Sequence, residues 1–127
     1  MKSWEIHKLE LRPRLPEILS STDEARAVVL DLEQGENLRD HEVHERAWLV
    51  VLAGEIEVST TSDEHTSGGV GFLVEFAPRE RHEVVARSKT RLLLLLTPWP
   101  GHGHPGAMTI TQKLYARRHA AKKRKLG

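Results

Sequence analysis

The stretch VVLAGEIEV, residues 50–58, decides the fold. An apolar run ends at Gly54, and polar and apolar residues alternate after it, as expected of a strand with one buried face. Glycine readily takes the positive φ angle that tight turns between strands require. The stretch therefore predicts two strands, at residues 47–52 and 55–60, joined as a β-hairpin.

Similar short runs occur along the rest of the chain. Strands are predicted at residues 25–32, 71–76, 82–86 and 91–97, and a last strand or a helix at 107–115. Polar and apolar residues also alternate at 4–11. Residues 12–21 contain two prolines and have room for one short helical turn, and residues 61–69 are predicted to form a polar loop. Six to eight short strands at close spacing predict an all-β sandwich or barrel of the jelly-roll type.

Composition narrows the functional classes. At 127 residues the chain is one domain, and with no cysteine any metal must be held by His, Asp or Glu. No apolar run approaches the roughly 20 residues that cross a bilayer, and the N-terminus carries charges where a signal peptide needs an apolar region. We therefore expect a cytoplasmic protein without membrane contact.

The net charge of +1 hides an asymmetry between the body and the C-terminus. The last thirteen residues carry six Lys or Arg and no acid, which leaves 13 basic and 18 acidic residues elsewhere, a net charge of −5. Such a tail could bind along the phosphate backbone of a nucleic acid. It contains one aromatic residue and no interleaved stacking residues, so we interpret it as a solvated end and expect no nucleic-acid partner.

Two segments resemble the paired motifs of the cupin superfamily, small jelly-roll β-barrels. Gly35, His41 and Gly54 match the glycine, histidine and closing glycine of the first motif. The second motif follows later in the chain and is matched by Gly71, Pro78 and His82. This match has one extra residue between the glycine and the proline. The resemblance covers residues 27–97.

The resemblance implies three parts of the chain. Residues 1–24 would form an N-terminal extension and edge strand, and residues 25–115 a cupin-type jelly-roll β-barrel. Residues 116–127 would form a basic, disordered tail. It also implies a homodimer, for which the alternating segment at 4–11 is a candidate cover for a neighbour's sheet edge.

By the same resemblance, a metal would lie inside the barrel on ligands from both motifs. Counted back from Gly54, the position of the family's glutamate falls on Ala47, and His41 alone keeps its place among the first motif's histidines. His44 is displaced by one residue, so it would reach the cavity only if a bulge or turn intervenes. His41 and His82 could instead be core imidazoles hydrogen-bonded to each other or to the backbone.

The candidate site therefore combines histidines with a nearby carboxylate. The candidate metal ligands are His41, His44 and His82, with Glu45, His102 and His104 as possible additional ligands and with Trp48 and Arg81 lining the pocket. Such a set suits zinc, nickel, iron or manganese and leaves room for a small polar ligand. His102 and His104 lie in PWPGHGHPG, residues 98–106, which either folds over the barrel mouth or forms a solvent-facing exit from the last core strand.

Two functions remain open at this point. One is a metal-dependent cupin, of dioxygenase or isomerase type if it is an enzyme. The other is a metal-free cupin that binds or senses a small molecule without catalysis.

Overall fold

The computed structural model describes residues 1–41 and 44–98, and for residues 39–41 it describes the backbone only. A short 3-10 helix spans Ile6–Lys8. The strands are β1 (Glu17–Ser21), β2 (Arg26–Leu32), β3 (Asn37–His41), β4 (Arg46–Ala53), β5 (Ile56–Thr60), β6 (His65–Gly68), β7 (Leu73–Phe76), β8 (His82–Ala86) and β9 (Thr90–Thr97). Within the described ranges no helix combines the length and hydrophobicity needed to cross a bilayer.

The strands form two antiparallel sheets that pack face to face. The five-stranded sheet has the order β1-β2-β9-β4-β7, and the four-stranded sheet has the order β3-β8-β5-β6. Inward-facing side chains of both sheets make one hydrophobic core, whose fully buried members include Leu49, Val51, Ile56, Val84 and Leu92. The predicted all-β jelly-roll fold is confirmed.

The turn at Gly54 joins the two sheets, so the predicted hairpin is wrong. β4 pairs with β7 and β9, whereas β5 pairs with β6 and β8. Gly54 has a φ of +83°, and a methyl group there would overlap the backbone carbonyl of Lys89. Glycine is therefore required both for the backbone conformation and for close approach to the connection between β8 and β9.

Four other segments differ from the expectation. Residues 6–8 form a 3-10 helix inside the alternating segment, and β1 occupies residues predicted to hold a helical turn. β3 was not predicted, and β6 lies in the predicted polar loop. β6 has the sequence HTSG with no apolar face, so its strand structure depends on pairing with β5. The prediction for 107–115 and the basic tail at 116–127 lie outside the described residues.

A buried ion pair fastens the N-terminal segment to the outer face of the five-stranded sheet. Asp31 on β2 and Arg91 on β9 are directly opposite each other, and the guanidinium binds both carboxylate oxygens at 2.7 and 2.9 Å. This hydrogen bond raises the pKa of Arg91. Arg91 also donates to the carbonyl of Ile6 at 2.8 Å, and the Arg14 amide donates to the carbonyl of Asp31 at 2.8 Å. The N-terminal segment therefore packs on its own sheet.

We predict that Asp31→Ala lowers the free energy of unfolding by about 3 kcal/mol, because Arg91 would stay largely buried without its counter-charge. Urea denaturation at neutral pH measures the change. Glu57→Ala is the matched control, since Glu57 pairs with Arg87 on the exposed surface and should contribute about 1 kcal/mol or less. Equal losses in the two variants would contradict the assigned role of the buried pair.

Candidate functional site

A bulge in β3 brings two histidines into register. Leu38 on β3 is opposite Val84 on β8, and the register then shifts so that His41 is opposite His82. Without the extra residue in β3, His41 would be opposite Arg81, whose side chain is exposed. The bulge therefore places the backbone of His41 beside an inward-facing residue.

His82 is the centre of a row of polar residues at one end of the sandwich. His82 lies on the same inward face of β8 as Val84 and Ala86, because every second residue of the strand is buried, and it is 4% exposed. On the side of β8 away from β3, His82 is opposite Thr60, the last residue of β5. His41, His82 and Thr60 thus occupy adjacent positions on three neighbouring strands.

Two contacts hold the imidazole of His82. Nδ1 lies 3.0 Å from the carbonyl oxygen of Glu80, which can only accept, so Nδ1 carries the proton and Nε2 keeps its lone pair in the neutral ring. The ring stacks on Phe76 with centroids 3.7 Å apart and planes 8° from parallel. Burial lowers the pKa of His82 below 6.5, although the hydrogen bond and the charge of Glu80 act in the opposite direction.

A carboxylate is buried at the same end of the five-stranded sheet. Glu45 lies in the bend before β4 and is 5% exposed, continuing the inward alternation of Ala47 and Leu49. Ala47 is itself in the core, opposite Phe76 on β7 and Leu96 on β9. The family's glutamate position is therefore apolar, and the buried acidic residue lies two positions earlier.

The other predicted site residues take different places. His44 is exposed, and Arg81, next to His82, is exposed as well. Trp48 lies on the outer face of β4, where its indole Nε1 donates to the hydroxyl of Thr97 at 3.3 Å. It therefore does not line the space between the sheets. His102 and His104 lie outside the described residues.

A small cleft opens beside His82. It has a volume of about 170 Å³ and is lined by Ser59, Thr60, Thr61, His82 and Glu83. Among the side chains that the structure describes, no three from His, Asp and Glu come together as a metal site, and those of His41, His102 and His104 are not in that set.

Sequence reasoning missed Thr60 and Phe76. Both are at the ends of strands whose preceding inward residues are apolar, Val58 for Thr60 and Val74 for Phe76. Counting in steps of two from those core residues could have placed both on the inner face.

Comparison with known proteins shows the fold. No protein-family model and no curated protein matches the chain. An RmlC-like cupin from Desulfovibrio desulfuricans superposes with a TM-score of 0.69 at 21% identity, covering 77% of this chain and 97% of that one. The protein has a cupin fold. A cupin superfamily protein from Desulfitobacterium hafniense gives 0.66 at 15% identity, with 73% and 86% covered.

A third cupin-like structure agrees. A Klebsiella pneumoniae protein with a double-stranded β-helix domain superposes with a TM-score of 0.66 at 16% identity, covering 78% of this chain and 91% of that one. Identities this low carry the fold and no activity, since one fold hosts many chemistries. The function must be argued from the site.

We predict that His82 of the metal-free protein titrates below pH 6.5, because burial disfavours the charged ring. A group with a lowered folded-state pKa contributes stability above its unfolded pKa and loses it as the pH falls through the folded value. The free energy of unfolding should therefore decrease below pH 6.5, and less steeply in His82→Gln. NMR titration in the presence of a chelator and denaturation at several pH values measure both effects. A His82 pKa at or above 6.5 would contradict the prediction.

Proposed function

We propose that this cupin binds a divalent metal ion and a small polar ligand at the end of the barrel where His41 and His82 are in register. The observation that carries the proposal is the state of His82, a buried imidazole whose Nδ1 is held by a backbone carbonyl. A hydrogen bond of this kind is what orients metal-ligating histidines, and it puts the ring's lone pair on Nε2, the atom that would ligate a metal. The lowered pKa keeps His82 neutral at physiological pH, as a ligand must be.

His41 and Glu45 are the proposed partners of His82. His41 is supported by its cross-strand register, because opposed residues of an antiparallel pair have Cα atoms only about 4.5–5.5 Å apart. Glu45 is supported by its burial, which it shares with His82 and not with His44. Two imidazoles and one carboxylate suit zinc, nickel, iron or manganese and leave positions for water or ligand.

The proposed ligand is small and polar. The cleft beside His82, at about 170 Å³, is well below the roughly 300–1,000 Å³ of pockets that take drug-sized molecules. Three residues with hydroxyl groups, Ser59, Thr60 and Thr61, are among those that line it. A bound metal would supply Lewis-acid polarisation of a ligand oxygen. We keep a cytoplasmic location as part of the proposal, supported by the cysteine-free sequence.

The metal proposal is tested by metal content. Full-length protein without a His tag is incubated with Zn²⁺, Ni²⁺, Mn²⁺ or anaerobic Fe²⁺, dialysed, and analysed by mass spectrometry for metal per chain. We expect about one equivalent in the native protein and strongly reduced content in His41→Ala, His82→Ala and Glu45→Gln, since each removes one of three ligands. His65→Ala, which removes an exposed histidine on β6, is the matched control and should keep the metal.

Circular dichroism of every variant separates loss of a ligand from loss of the fold. Native protein that is folded but takes up none of the four metals would contradict the proposal. Retention of metal by both His41→Ala and His82→Ala would exclude these residues as ligands.

A metal-free small-molecule-binding cupin is the second candidate. It is favoured by Ala47, an apolar core residue at the family's glutamate position, and by the stacking of His82 on Phe76. In this case the cleft binds a small polar compound through its hydroxyls and His82. NMR titration of the chelator-treated protein with small mono- and dicarboxylates tests it. Shifts confined to residues 59–61 and 82–83 would favour this candidate, and their absence at millimolar concentration would oppose it.

Ala47→Glu distinguishes the two candidates further. A carboxylate in this apolar position should destabilise the metal-free protein by about 2 kcal/mol or more, because a buried charge lacks its hydration. If the end of the barrel binds metal through His82, added Zn²⁺ should restore much of the lost thermal stability. The measurement is the melting temperature with and without Zn²⁺, and Ala47→Gln is the control without a charge. A Zn²⁺ effect no larger in Ala47→Glu than in Ala47→Gln would argue against a metal site at this position.

A further inference from the structure

The imidazole of His82 is held by two groups from one short stretch of chain. Phe76, the last residue of β7, stacks on one face of the ring with the centroids 3.7 Å apart. The carbonyl oxygen of Glu80 lies 3.0 Å from Nδ1. Residues 76–82, which we call the β7–β8 loop, therefore contain the histidine together with both of these groups.

A β-turn at residues 77–80 gives this loop its shape. The amide of Glu80 donates to the carbonyl of Ala77 at 3.1 Å, which closes the turn. Pro78 is its second residue, and Arg79 is its third, with a φ of +64°. Proline at the second position and a positive φ at the third are features of a type II turn. The last residue of this defined turn is the one whose carbonyl contacts His82.

Arg79 adopts a backbone conformation that residues with a side chain disfavour. Glycine is the usual third residue of a type II turn, because it has no Cβ. A second turn of the molecule, at residues 33–36 between β2 and β3, has Gly35 in this position with a φ of +85°. The Glu36 amide closes that turn by donating to the carbonyl of Glu33 at 3.0 Å. An arginine with positive φ persists only where other contacts stabilise the turn around it.

The side chain of Glu80 makes such a contact. Its Oε1 accepts a hydrogen bond from the Ala77 amide at 3.0 Å. The first and last residues of the turn are thus joined by two hydrogen bonds, one through the backbone of Glu80 and one through its carboxylate. Glu80 therefore stabilises the turn with its side chain and holds His82 with its carbonyl.

We propose that Glu80 is a positioning residue, whose carboxylate stabilises the turn and thereby sets the tautomer of His82. With Nδ1 donating to the Glu80 carbonyl, the neutral ring carries its lone pair on Nε2. A neutral histidine without this bond can carry its proton on either nitrogen, so a change in the turn would change the tautomer. The consequence for metal binding rests on the proposed function, because the Nδ1–H tautomer is the one in which Nε2 would ligate a metal.

The tautomer is measured by long-range nitrogen–proton NMR correlation on the full-length, histidine-labelled and chelator-treated protein. The spectra are recorded at about pH 8, where a histidine is neutral, and His82→Gln assigns the signals. We expect Nδ1–H in the native protein and in Glu80→Gln, whose amide oxygen can still accept from the Ala77 amide. In Glu80→Ala the ratio of Nε2–H to Nδ1–H should rise about fivefold or more, the effect of one lost hydrogen bond.

Arg79 tests the turn while Glu80 is left unchanged. Arg79→Gly should keep the Nδ1–H tautomer, because glycine adopts a positive φ freely. Arg79→Val should shift the tautomer in the same direction as Glu80→Ala, because a β-branched residue disfavours a positive φ. Arg79 is exposed, so neither replacement changes the core, and circular dichroism checks the fold of every variant.

Glu36→Ala is the matched control. It removes the equivalent hydrogen bond, from the Glu33 amide to Glu36 Oε1 at 2.7 Å, in the turn at 33–36. That turn lies at the other end of β8, where the Gly35 amide donates to the carbonyl of Ala86 at 2.8 Å. The variant should therefore leave the tautomer of His82 unchanged, even where it lowers stability.

Three results would overturn the proposal. They are an Nε2–H tautomer in the native protein, an unchanged tautomer in both Glu80→Ala and Arg79→Val, and a shift in Glu80→Gln or Glu36→Ala as large as that in Glu80→Ala. The last result would show that charge or general loosening, and not the hydrogen bond of the turn, controls the ring.

Zn²⁺ titration of the same proteins separates this inference from the proposed function. We expect the Kd for Zn²⁺ to rise about tenfold or more in Glu80→Ala and to stay near the native value in Glu80→Gln, as for a residue that orients a ligating histidine. A native chain with the Nδ1–H tautomer that binds no Zn²⁺ would count against the metal site alone. The tautomers of the variants would still decide whether Glu80 positions His82.

Discussion

A contact between two of the connections that cross from one sheet to the other is the constraint on which the rest of the structure depends. The turn at Gly54 carries the chain from β4 to β5, and the segment after β8 carries it back to β9. The two meet where Gly54 approaches Lys89 and where Glu55 accepts hydrogen bonds from the Arg87 amide at 2.8 Å and the Thr90 hydroxyl at 3.2 Å. With these two crossings held together, the two sheets can bury their inward faces against each other.

The proposed site lies at the end of the barrel where the alternation of core residues changes from apolar to polar. On the four-stranded sheet, Val84 is followed outward by His82, and Val58 by Thr60. On the other sheet, Leu49 is followed by Ala47 and then by Glu45. A buried imidazole is tolerated here because it is neutral, satisfied at Nδ1 and stacked on Phe76. The same hydrogen bond puts the proton of the neutral ring on Nδ1 and its lone pair on Nε2.

The outer face of the five-stranded sheet combines a buried ion pair with apolar side chains. The buried Asp31–Arg91 pair fastens the N-terminal segment to this face through the hydrogen bond from Arg91 to the carbonyl of Ile6, and Val29 on β2 is fully buried on the same face. Leu93 and Leu95 on β9 also face outward, and both are half-buried. A single strand, β9, thus contributes Leu92 to the core on one face, and on the other face it contributes Arg91 to the ion pair and two apolar side chains.

The sequence by itself determined the class of fold and the departure of the candidate site from the motif that it resembles. Short apolar or alternating runs marked six of the nine strands that the structure describes, and the spacing from Gly54 put Ala47 at the position where the resemblance expects glutamate. These features are local, so they can be counted along the chain. The sequence also named His82 and Glu45, both of which are buried.

Only the tertiary structure decided which strands pair and which face each residue takes. It placed β4 and β5 in different sheets, aligned His41 with His82 through a bulge, and turned Trp48 outward. The physical reason is that pairing depends on residues far apart in the chain, and a shift of one residue moves a side chain to the opposite face. Local alternation therefore predicts a strand, while long-range register determines what that strand contributes to the site.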